Sequence, residues 1–349
     1  MINVLLTAVG CPGGPSIIEA LKADANIRII GTDMRRDVPA RYLVDKFVTV
    51  LPGRSPDFIS QMLEICDREQ IDVLLPLATF ELDTLSKHKA LFETSGCKVC
   101  VSDYEYLAIA NNKFKLYETF RDAGIVPEYY LPASTEELME SVYKLGYPGK
   151  RVILRPLISH GSIGLRIVSS DVNKLDMLLN YKPNSIYTDL ESVFEVLKLA
   201  PNFPEVLVTE YLPNKEYGVD LLYHPETHGF VQKFIRDNGE VNLSEVSGGQ
   251  NIQTDKFDAI IDMVSTTLKL SYSVNIDIKL DERNEPKMLE INPRMPATSY
   301  LAYKSGFNMA LGSVYLALGK VVQPTDLIDG LSIYSYRGFI VTNAQGKVL

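Results

Sequence analysis

The sequence predicts an α/β protein in which a doubly wound parallel sheet at the N-terminal end precedes an α+β region. Three observations predict this fold class. Over roughly the first hundred residues, short apolar runs alternate with helical patterns, which is typical of βαβ units in a parallel sheet. From about Asn111 the pattern changes to helices and strands separated by glycine-rich turns. A long hairpin then spans roughly Ser273–Asn292, where apolar and polar residues alternate.

The N-terminal region is expected to form the parallel sheet, with ligands near the carboxyl ends of its strands. The apolar runs predict strands at Asn3–Ala8, Arg28–Gly31, Phe47–Val50, Val73–Leu77 and Lys98–Ser102. The segments between them predict helices at Ser16–Lys22, Asp57–Arg68 and about Glu81–Phe92.

The second region is expected to mix helices with strands. Helices are predicted at Lys113–Ala123, Thr135–Leu145, Lys256–Leu270 and about Met309–Leu318. Strands are predicted at Val152–Leu154, Leu165–Val168, Val206–Glu210, Tyr217–Tyr223 and Gly229–Arg236, in addition to the hairpin.

Charge and hydropathy argue against some classes of function. The 35 Lys and Arg residues against 44 Asp and Glu residues give a net charge of −9. This charge gives no support to a nucleic-acid partner, because such partners need a basic surface. No apolar run approaches membrane-spanning length, and a first strand explains the apolar opening Met1–Gly10 better than a signal peptide does. We therefore expect a cytoplasmic enzyme.

The cysteines do not indicate a disulfide framework, since only Cys11, Cys66, Cys97 and Cys100 are present. Cys97 and Cys100 form a C-x-x-C pair, but no second pair or nearby histidine completes a zinc site. Buried strand cysteines are the expected interpretation.

The turn Gly10–Gly14 allows two interpretations. It follows the first predicted strand, and Asp33 on the second strand is the residue that would bind a dinucleotide ribose. However, the G-x-G-x-x-G spacing is absent, and Pro12 and Pro15 lack the backbone N–H groups that a pyrophosphate needs. The alternative is a tight β–α turn that borders a substrate.

The hairpin carries a candidate metal site. Strand alternation places Glu290 and Asn292 on one face, and Asp277 on the partner strand can lie beside them. Three oxygen donors next to Arg294 suit a magnesium ion that carries nucleotide phosphates. A solvated sheet face with incidental charges is the alternative, although Asp and Asn are poor strand formers.

Two further groups of residues are weaker signals when taken alone. Arg155 ends an apolar strand and precedes the small-residue loop 159–164, whose backbone N–H groups can approach phosphates. Taken alone, this loop is better explained as an ordinary hairpin turn, and His160 within it is expected to be incidental. Thr209–Leu212 leads to Lys215–Tyr217, where two acids can hold an adenine amino group and ribose hydroxyls or simply mark a strand exit.

Taken in order, these motifs resemble those of the ATP-grasp superfamily, most closely the carbamoyl-phosphate synthase large subunit. The segments that carry the resemblance are Asn111–Lys113, Arg155-Pro156, Lys215–Tyr217, Leu289–Arg294, Ser299–Gly306 and Leu316–Gly319. The resemblance implies a pre-ATP-grasp domain at 1–108 and an ATP-grasp domain of two α+β subdomains at 109–325. The lid subdomain would cover about 125–210, and 326–349 would be a tail or strand.

The resemblance also assigns nucleotide-binding roles, to Lys113, Arg155, Gly161, Gly164, Glu210, Tyr211, Leu212 and Glu216. The two cations would hold ATP phosphates under the glycines of the lid loop. Glu210 would take the adenine amino group, the hinge backbone after it would contact the base, and Glu216 would bind ribose.

For catalysis, the resemblance implies that Asp277, Glu290 and Asn292 bind two Mg²⁺ ions, with Mn²⁺ as the alternative ion. Arg294 would steady the transferred phosphoryl group. Lys233, on the strand Gly229–Arg236, is included as a second catalytic candidate.

The function implied is a ligase that activates a small-molecule carboxylate as an acyl phosphate for attack by an amine. A carboxylase-like use of bicarbonate is the alternative among enzymes, and an ATP-binding regulatory protein is the alternative of another class. A single ATP-grasp unit stands where the full synthase has two, so carbamoyl phosphate synthesis by this chain alone is not expected. The stretch Asn173–Pro204 is longer than usual for the family. A homodimer is left open as the assembly.

Overall fold

The computed structural model describes residues 1–159, 161–180, 185–239, 241–242, 245–246, 248–334, 338, 340–343 and 348. The strands of these described residues form two five-stranded sheets, one six-stranded sheet and one two-stranded ribbon. We call the larger three the N-terminal, middle and C-terminal sheets, in chain order. The predicted fold class is confirmed, because an all-parallel sheet precedes two sheets that are wholly or mainly antiparallel.

The N-terminal sheet has the strand order β3-β2-β1-β4-β5. Its strands are β1 (Ile2–Leu6), β2 (Ile27–Asp33), β3 (Lys46–Thr49), β4 (Val73–Leu75) and β5 (Lys98–Val99). The helices of this region are α1 (Gly14–Leu21), α2 (Phe58–Glu69), α3 (Thr79–Lys87), α4 (Lys89–Thr94) and α5 (Tyr104–Ala110). The strand order reverses between β1 and β4, so the loops after these two strands border the same crevice. The single helix predicted at Glu81–Phe92 is divided at His88 into α3 and α4.

The middle sheet has the order β6-β10-β7-β8-β9 and is antiparallel except for the β8–β9 pair. Its strands are β6 (Tyr129–Tyr130), β7 (Val152–Pro156), β8 (Arg166–Val168), β9 (Tyr187–Thr188) and β10 (Val206–Glu210). The helices are α6 (Lys113–Thr119), α7 (Thr135–Lys144), α8 (Lys174–Asn180) and α9 (Leu190–Leu197). The long stretch Asn173–Pro204 therefore adds two helices and the edge strand β9.

The C-terminal sheet is antiparallel, in the order β17-β16-β11-β12-β15-β18. The remaining strands are β11 (Glu216–Tyr223), β12 (Phe230–Asp237), β13 (Val241–Asn242), β14 (Glu245–Val246), β15 (Gly248–Ile252), β16 (Tyr272–Leu280), β17 (Pro286–Asn292) and β18 (Ser332–Tyr334). Strands β13 and β14 form the separate ribbon. The helices are α10 (Asp258–Thr267), α11 (Ser299–Lys304) and α12 (Met309–Ala317).

Helix α12 joins the N-terminal and C-terminal sheets. Its residues are apolar on nearly all sides, and Val314 is fully buried in a core that also holds Val4 of β1 and Leu222 of β11. A Cβ at Gly312 would lie 2.7 Å from Leu222 Cδ2, so the glycine allows the helix to approach the sheet closely. This shared core places the loops of the N-terminal sheet beside the end of the hairpin.

No helix within the described ranges is both long enough and apolar enough to cross a membrane.

Candidate active site

A cleft of about 380 Å³ separates the middle sheet from the C-terminal sheet. The predicted site residues that line it are Lys113, Arg155, Gly161, Glu210, Tyr211, Leu212, Glu216, Asp277, Glu290, Asn292 and Arg294. These residues come from widely separated parts of the chain, and the two sheets bring them to one place. A wider open groove of about 700 Å³ lies next to the end of β10 and shares Glu210 with the cleft. This groove contains none of the hairpin carboxylates.

The hairpin presents its polar groups as a compact cluster. Asp277 lies opposite Glu290 in the β16–β17 register, and Asn292 lies two residues further along. Asn292 Nδ2 donates to Asp277 Oδ2 and to Glu290 Oε1, both at 3.2 Å. Two carboxylates and one amide oxygen are the donor types that Mg²⁺ prefers, so the residues present fit that ion.

Two cations hold Glu290 in its charged form. Lys113 Nζ lies 3.0 Å and Arg155 Nη1 lies 3.8 Å from Glu290 Oε2. Burial alone would raise the pKa of Glu290, but the Lys113 ammonium and the Arg155 guanidinium bring it down to about 2. Burial and the neighbouring Glu290 charge raise the pKa of Asp277 well above its usual range. The site therefore favours additional positive charge at Asp277.

Tyr117 positions Arg155 and was not identified from the sequence. Its hydroxyl donates to Leu289 O at 2.7 Å and accepts from Arg155 Nη2 at 3.0 Å. Tyr117 is fully buried, and burial raises its pKa to about 12. The four-residue spacing from Lys113 along α6 puts both side chains on one helix face, which is a signal that could have found it. Arg155 Nε is buried and has no hydrogen-bond partner among the described residues, so a donor is left for a ligand anion.

The loop after β7 has the conformation that its glycines allow. Gly161 and Gly164 have φ values of +56° and +79°. A Cβ at Gly164 would lie 2.6 Å from Pro156 Cγ, so Gly164 shapes the loop without lining the cleft. Ser159 Oγ accepts from Lys113 Nζ at 3.3 Å, which ties the loop to the cations. His160 lies outside the described residues.

The hinge side of the cleft carries the two predicted acids. Glu210 Oε1 accepts from the backbone N–H of Glu128 at 2.9 Å. Glu216 Oε2 lies 3.3 Å from Lys279 Nζ, and its Oε1 accepts from Asn238 Nδ2 at 3.3 Å. Lys279 and Asn238 also line the cleft and were not identified, because strand periodicity does not show which neighbouring strand pairs with β11.

Tyr187 is a further cleft residue that sequence reasoning missed. It lies on β9, the strand added by the long stretch Asn173–Pro204. The Arg151 guanidinium lies 5.7 Å from the centres of both the Tyr187 and the Tyr211 rings. This arrangement links the added strand to the hinge by cation–π contacts.

Arg294 connects the hairpin to the N-terminal region. Its Nε donates to Thr79 Oγ1 at 3.1 Å, and its Nη2 donates to Asn292 Oδ1 at 3.4 Å. Thr79 begins α3, which follows the switch-point strand β4. The arginine therefore stands where the cleft meets the crevice of the N-terminal sheet.

Lys233 is the predicted site residue that the structure separates most clearly from the cleft. Lys233 and Arg236 are three residues apart on β12, so their side chains lie on opposite faces of the sheet. Arg236 lines the cleft, and Lys233 therefore lies on the other face. Lys233 instead forms an ion pair with Asp258 in the first turn of α10. This position corrects the expectation of a catalytic role, because the sheet lies between the Lys233 ammonium group and the cluster of Asp277, Glu290 and Asn292.

The turn after β1 is a tight β–α turn. A Cβ at Gly14 would lie 1.9 Å from Val9 O, and one at Gly13 would lie 2.5 Å from Ala297 Cα. Asp33 accepts from the backbone N–H of Gly10 at 2.9 Å and pairs with Arg35 at 3.3 Å. Both carboxylate oxygens of Asp33 are thus engaged within the turn, which argues against the dinucleotide interpretation.

A buried acid lies beside this turn. Glu81 of α3 bonds to the Thr7 hydroxyl and accepts from the backbone N–H of Ala78 at 3.0 Å. Burial raises the pKa of Glu81 to about 7 despite these hydrogen bonds. Cys97 and Cys100 are both buried, as expected, and they flank β5 on either side.

Comparison with known proteins agrees with this geometry. Residues 202–338 match a family described as ATP-grasp in the biosynthetic pathway with Ter operon. Residues 4–100 match the PylC-like N-terminal domain. The C-terminal part of the chain is thus similar to ATP-grasp proteins, and its N-terminal part to PylC-like proteins. The predicted resemblance is thereby confirmed.

Curated and solved relatives of this chain are distant in sequence. The carbamoyl phosphate synthase large chain of Methanobrevibacter smithii is 23% identical over 320 residues, a match that covers 87% of this chain and 27% of the relative. The chain thus spans about a quarter of that relative's length.

Solved structures share the fold. An ADP complex of N5-carboxyaminoimidazole ribonucleotide synthetase superposes with a TM-score of 0.69 at 17% identity, covering 95% of this chain and 80% of that one. The enzyme of that type from Staphylococcus aureus with ADP gives a TM-score of 0.67 at 12% identity, with 94% and 79% covered. The biotin carboxylase domain of Hydrogenobacter thermophilus 2-oxoglutarate carboxylase, with MgADP and bicarbonate, gives 0.66 at 16% identity, with 93% and 72% covered.

Proposed function

We propose that the protein is an ATP- and Mg²⁺-dependent ligase that activates a small-molecule carboxylate as an acyl phosphate for attack by an amine. The observation that carries the proposal is the charge arrangement around Glu290. A half-buried, ionised carboxylate lies between Lys113 and Arg155 on one side and Asp277 and Asn292 on the other. Phosphoryl transfer needs groups of this kind, because its catalysis is mainly positioning and charge neutralisation.

The residues fall into two groups along the cleft. Lys113, Arg155 and the loop with Gly161 would hold the phosphates, and the orphan Nε of Arg155 is a donor suited to a phosphate oxygen. Glu210, the backbone of Tyr211 and Leu212, and Glu216 would hold adenosine. Gly164 would keep the loop in shape rather than touch the nucleotide.

Asp277, Glu290 and Asn292 would hold the divalent cation, with Mn²⁺ as the alternative to Mg²⁺. When bound, the cation neutralises phosphate charge and orients the transferred group. Arg294 is placed to donate to the transferred phosphoryl group, since it lies between Asn292 and the crevice of the N-terminal sheet. There a substrate carboxylate oxygen would attack the γ-phosphorus while the bond to the bridging oxygen breaks and ADP leaves.

The second step would consume the acyl phosphate that the first step forms. An amine nitrogen attacks the acyl carbon, the C–O bond to phosphate breaks, and the nitrogen loses a proton. No protein nucleophile is required for either step. The domain limits 1–108, 109–325 and 326–349 and a homodimeric assembly are part of this proposal.

An ADP-release screen that pairs carboxylates with amines tests the function. Release that needs both an acid and an amine supports the ligase. The solved carboxylase domain with bicarbonate gives one competing function, and release with bicarbonate alone would favour it. ATP binding without turnover under every pairing would favour a regulatory protein, and tight NAD(H) binding without ATP binding would overturn the whole proposal.

A further inference from the structure

A line of buried polar side chains crosses the C-terminal sheet beside the oxygen cluster. Arg236 of β12, Asp220 of β11 and Asn275 of β16 are exposed by only 2%, 0% and 3%. Asp220 lies opposite Asn275, and Asn275 lies opposite Asn292 in the strand registers. These three side chains have no role in the function proposed above.

The hydrogen bonds along this line all point toward Asp220. Arg236 Nη1 donates to Asp220 Oδ2 at 3.3 Å, and Asn275 Nδ2 donates to Asp220 Oδ1 at 2.9 Å. Asn275 Oδ1 then accepts from Asn292 Nδ2 at 3.1 Å. Because an ionised carboxylate only accepts, Asp220 determines which end of the Asn275 amide faces it. Asn275 Oδ1, together with the Asp277 and Glu290 carboxylates, then determines that the nitrogen of Asn292 faces the cluster. The oxygen of Asn292 is thereby turned away from Asn275 and toward Arg294.

The acceptor-only state of Asp220 is supported by its neighbours. The pKa of Asp220 is raised, with burial as the largest cause, and the Arg236 guanidinium and the Asn275 amide act against that rise. Arginine remains charged at any working pH and cannot accept a hydrogen bond. Both partners donate to the carboxylate and so favour its ionised, accepting form against the effect of burial.

The backbone leaves space for this arrangement. A Cβ at Gly218 would lie 2.3 Å from Arg236 Nη2, and one at Gly249 would lie 3.0 Å from Arg236 Cδ. Glycines on the two strands that flank β12 thus accommodate the guanidinium between them. A buried ion pair gains little stability over apolar packing, so its presence here is better explained by orientation than by stability.

We propose that Arg236, Asp220 and Asn275 form an orienting relay, a set of positioning residues that turns the Asn292 amide oxygen toward the divalent cation carried by the nucleotide. The relay rests on the proposed function, since it concerns the same metal set. It adds residues on two further strands to that set. Substitution of a residue that hydrogen-bonds to a metal ligand typically lowers the affinity for the metal about 10- to 100-fold.

The test uses Mn²⁺ binding to the ADP complex of the full chain at pH 8, followed by electron paramagnetic resonance. Asn275→Leu removes both amide hydrogen bonds and leaves the Asp220–Arg236 pair intact. We expect its Mn²⁺ affinity to fall about tenfold or more, with ADP affinity in EDTA unchanged. The matched control is Ser273→Ala on the same strand, which removes a buried hydrogen bond to Ser313 of 2.7 Å and should leave Mn²⁺ affinity unchanged.

A double variant separates orientation from simple packing. Asp220→Asn combined with Asn275→Asp exchanges the two groups, so position 275 still only accepts from Asn292. We expect this variant to bind Mn²⁺ within about threefold of wild type, well above Asn275→Leu. Equal Mn²⁺ affinity in wild type and Asn275→Leu, or a double variant as weak as Asn275→Leu, would overturn the relay. Wild type that binds no Mn²⁺ with ADP would instead overturn the proposed function on which the relay rests.

Discussion

Neutralising Glu290 is the most informative perturbation of the site. Glu290→Gln preserves shape and removes the charge that lies 3.0 Å from Lys113 Nζ and 3.8 Å from Arg155 Nη1. Loss of a direct metal contact typically lowers turnover a hundredfold or more, or about 3 kcal/mol of transition-state stabilisation. We expect the rate of ADP release from ATP to fall at least a hundredfold.

The same substitution has a stability effect that depends on pH. The pKa of Glu290 falls from 4.5 to about 2 in the folded protein. At about 1.4 kcal/mol for each pKa unit, ionised Glu290 stabilises the fold by about 3 kcal/mol. Because the folded-state pKa is the lower one, this stabilisation is present above pH 4.5 and is lost as the pH falls through about 2.

Urea unfolding at a series of pH values, together with ADP release, measures both effects. Wild type and Glu290→Gln should differ by about 3 kcal/mol at pH 7, and the difference should shrink below pH 4.5 and disappear only below about pH 2. Glu282→Gln is the control, since Glu282 pairs with Lys150 at the surface and should change neither quantity. A Glu290→Gln protein with wild-type turnover at limiting Mg²⁺ would refute the assignment, and a stability difference independent of pH would refute the charge argument.

Three further substitutions probe the surroundings of this cluster. Arg294→Lys should lower kcat with nearly unchanged ATP affinity, because an ammonium cannot fork across two phosphoryl oxygens; equal single-turnover rates would remove Arg294 from the mechanism. Tyr117→Phe removes the hydroxyl that bonds Arg155, so the KM for ATP should rise about tenfold; an unchanged KM would show that Arg155 needs no such support. Lys233→Met should leave turnover intact and cost less than about 1 kcal/mol in urea unfolding, as for other partly exposed ion pairs; a large loss of kcat would restore its catalytic role.

The sequence alone determined the features that depend on short-range periodicity. Period-two alternation put Glu290 and Asn292 on one face of a strand, and the hairpin pairing brought Asp277 beside them. The alternation of strands and helices likewise predicted the parallel N-terminal sheet. These features survive because they depend on residues close together in the chain.

Strand order, and with it the position of each cleft residue, was decided only by the tertiary structure. Arg236 and Lys233 are both cations on β12, yet sheet geometry sends one into the cleft and the other to Asp258. The contact between Tyr117 and Leu289 joins residues 172 positions apart, and periodicity carries no information about such pairs. The hydrogen bonds from Arg236 to Asn292 likewise form only because β12, β11, β16 and β17 are neighbours in that order. This order is set by burial of the sheet's apolar faces rather than by the local sequence pattern.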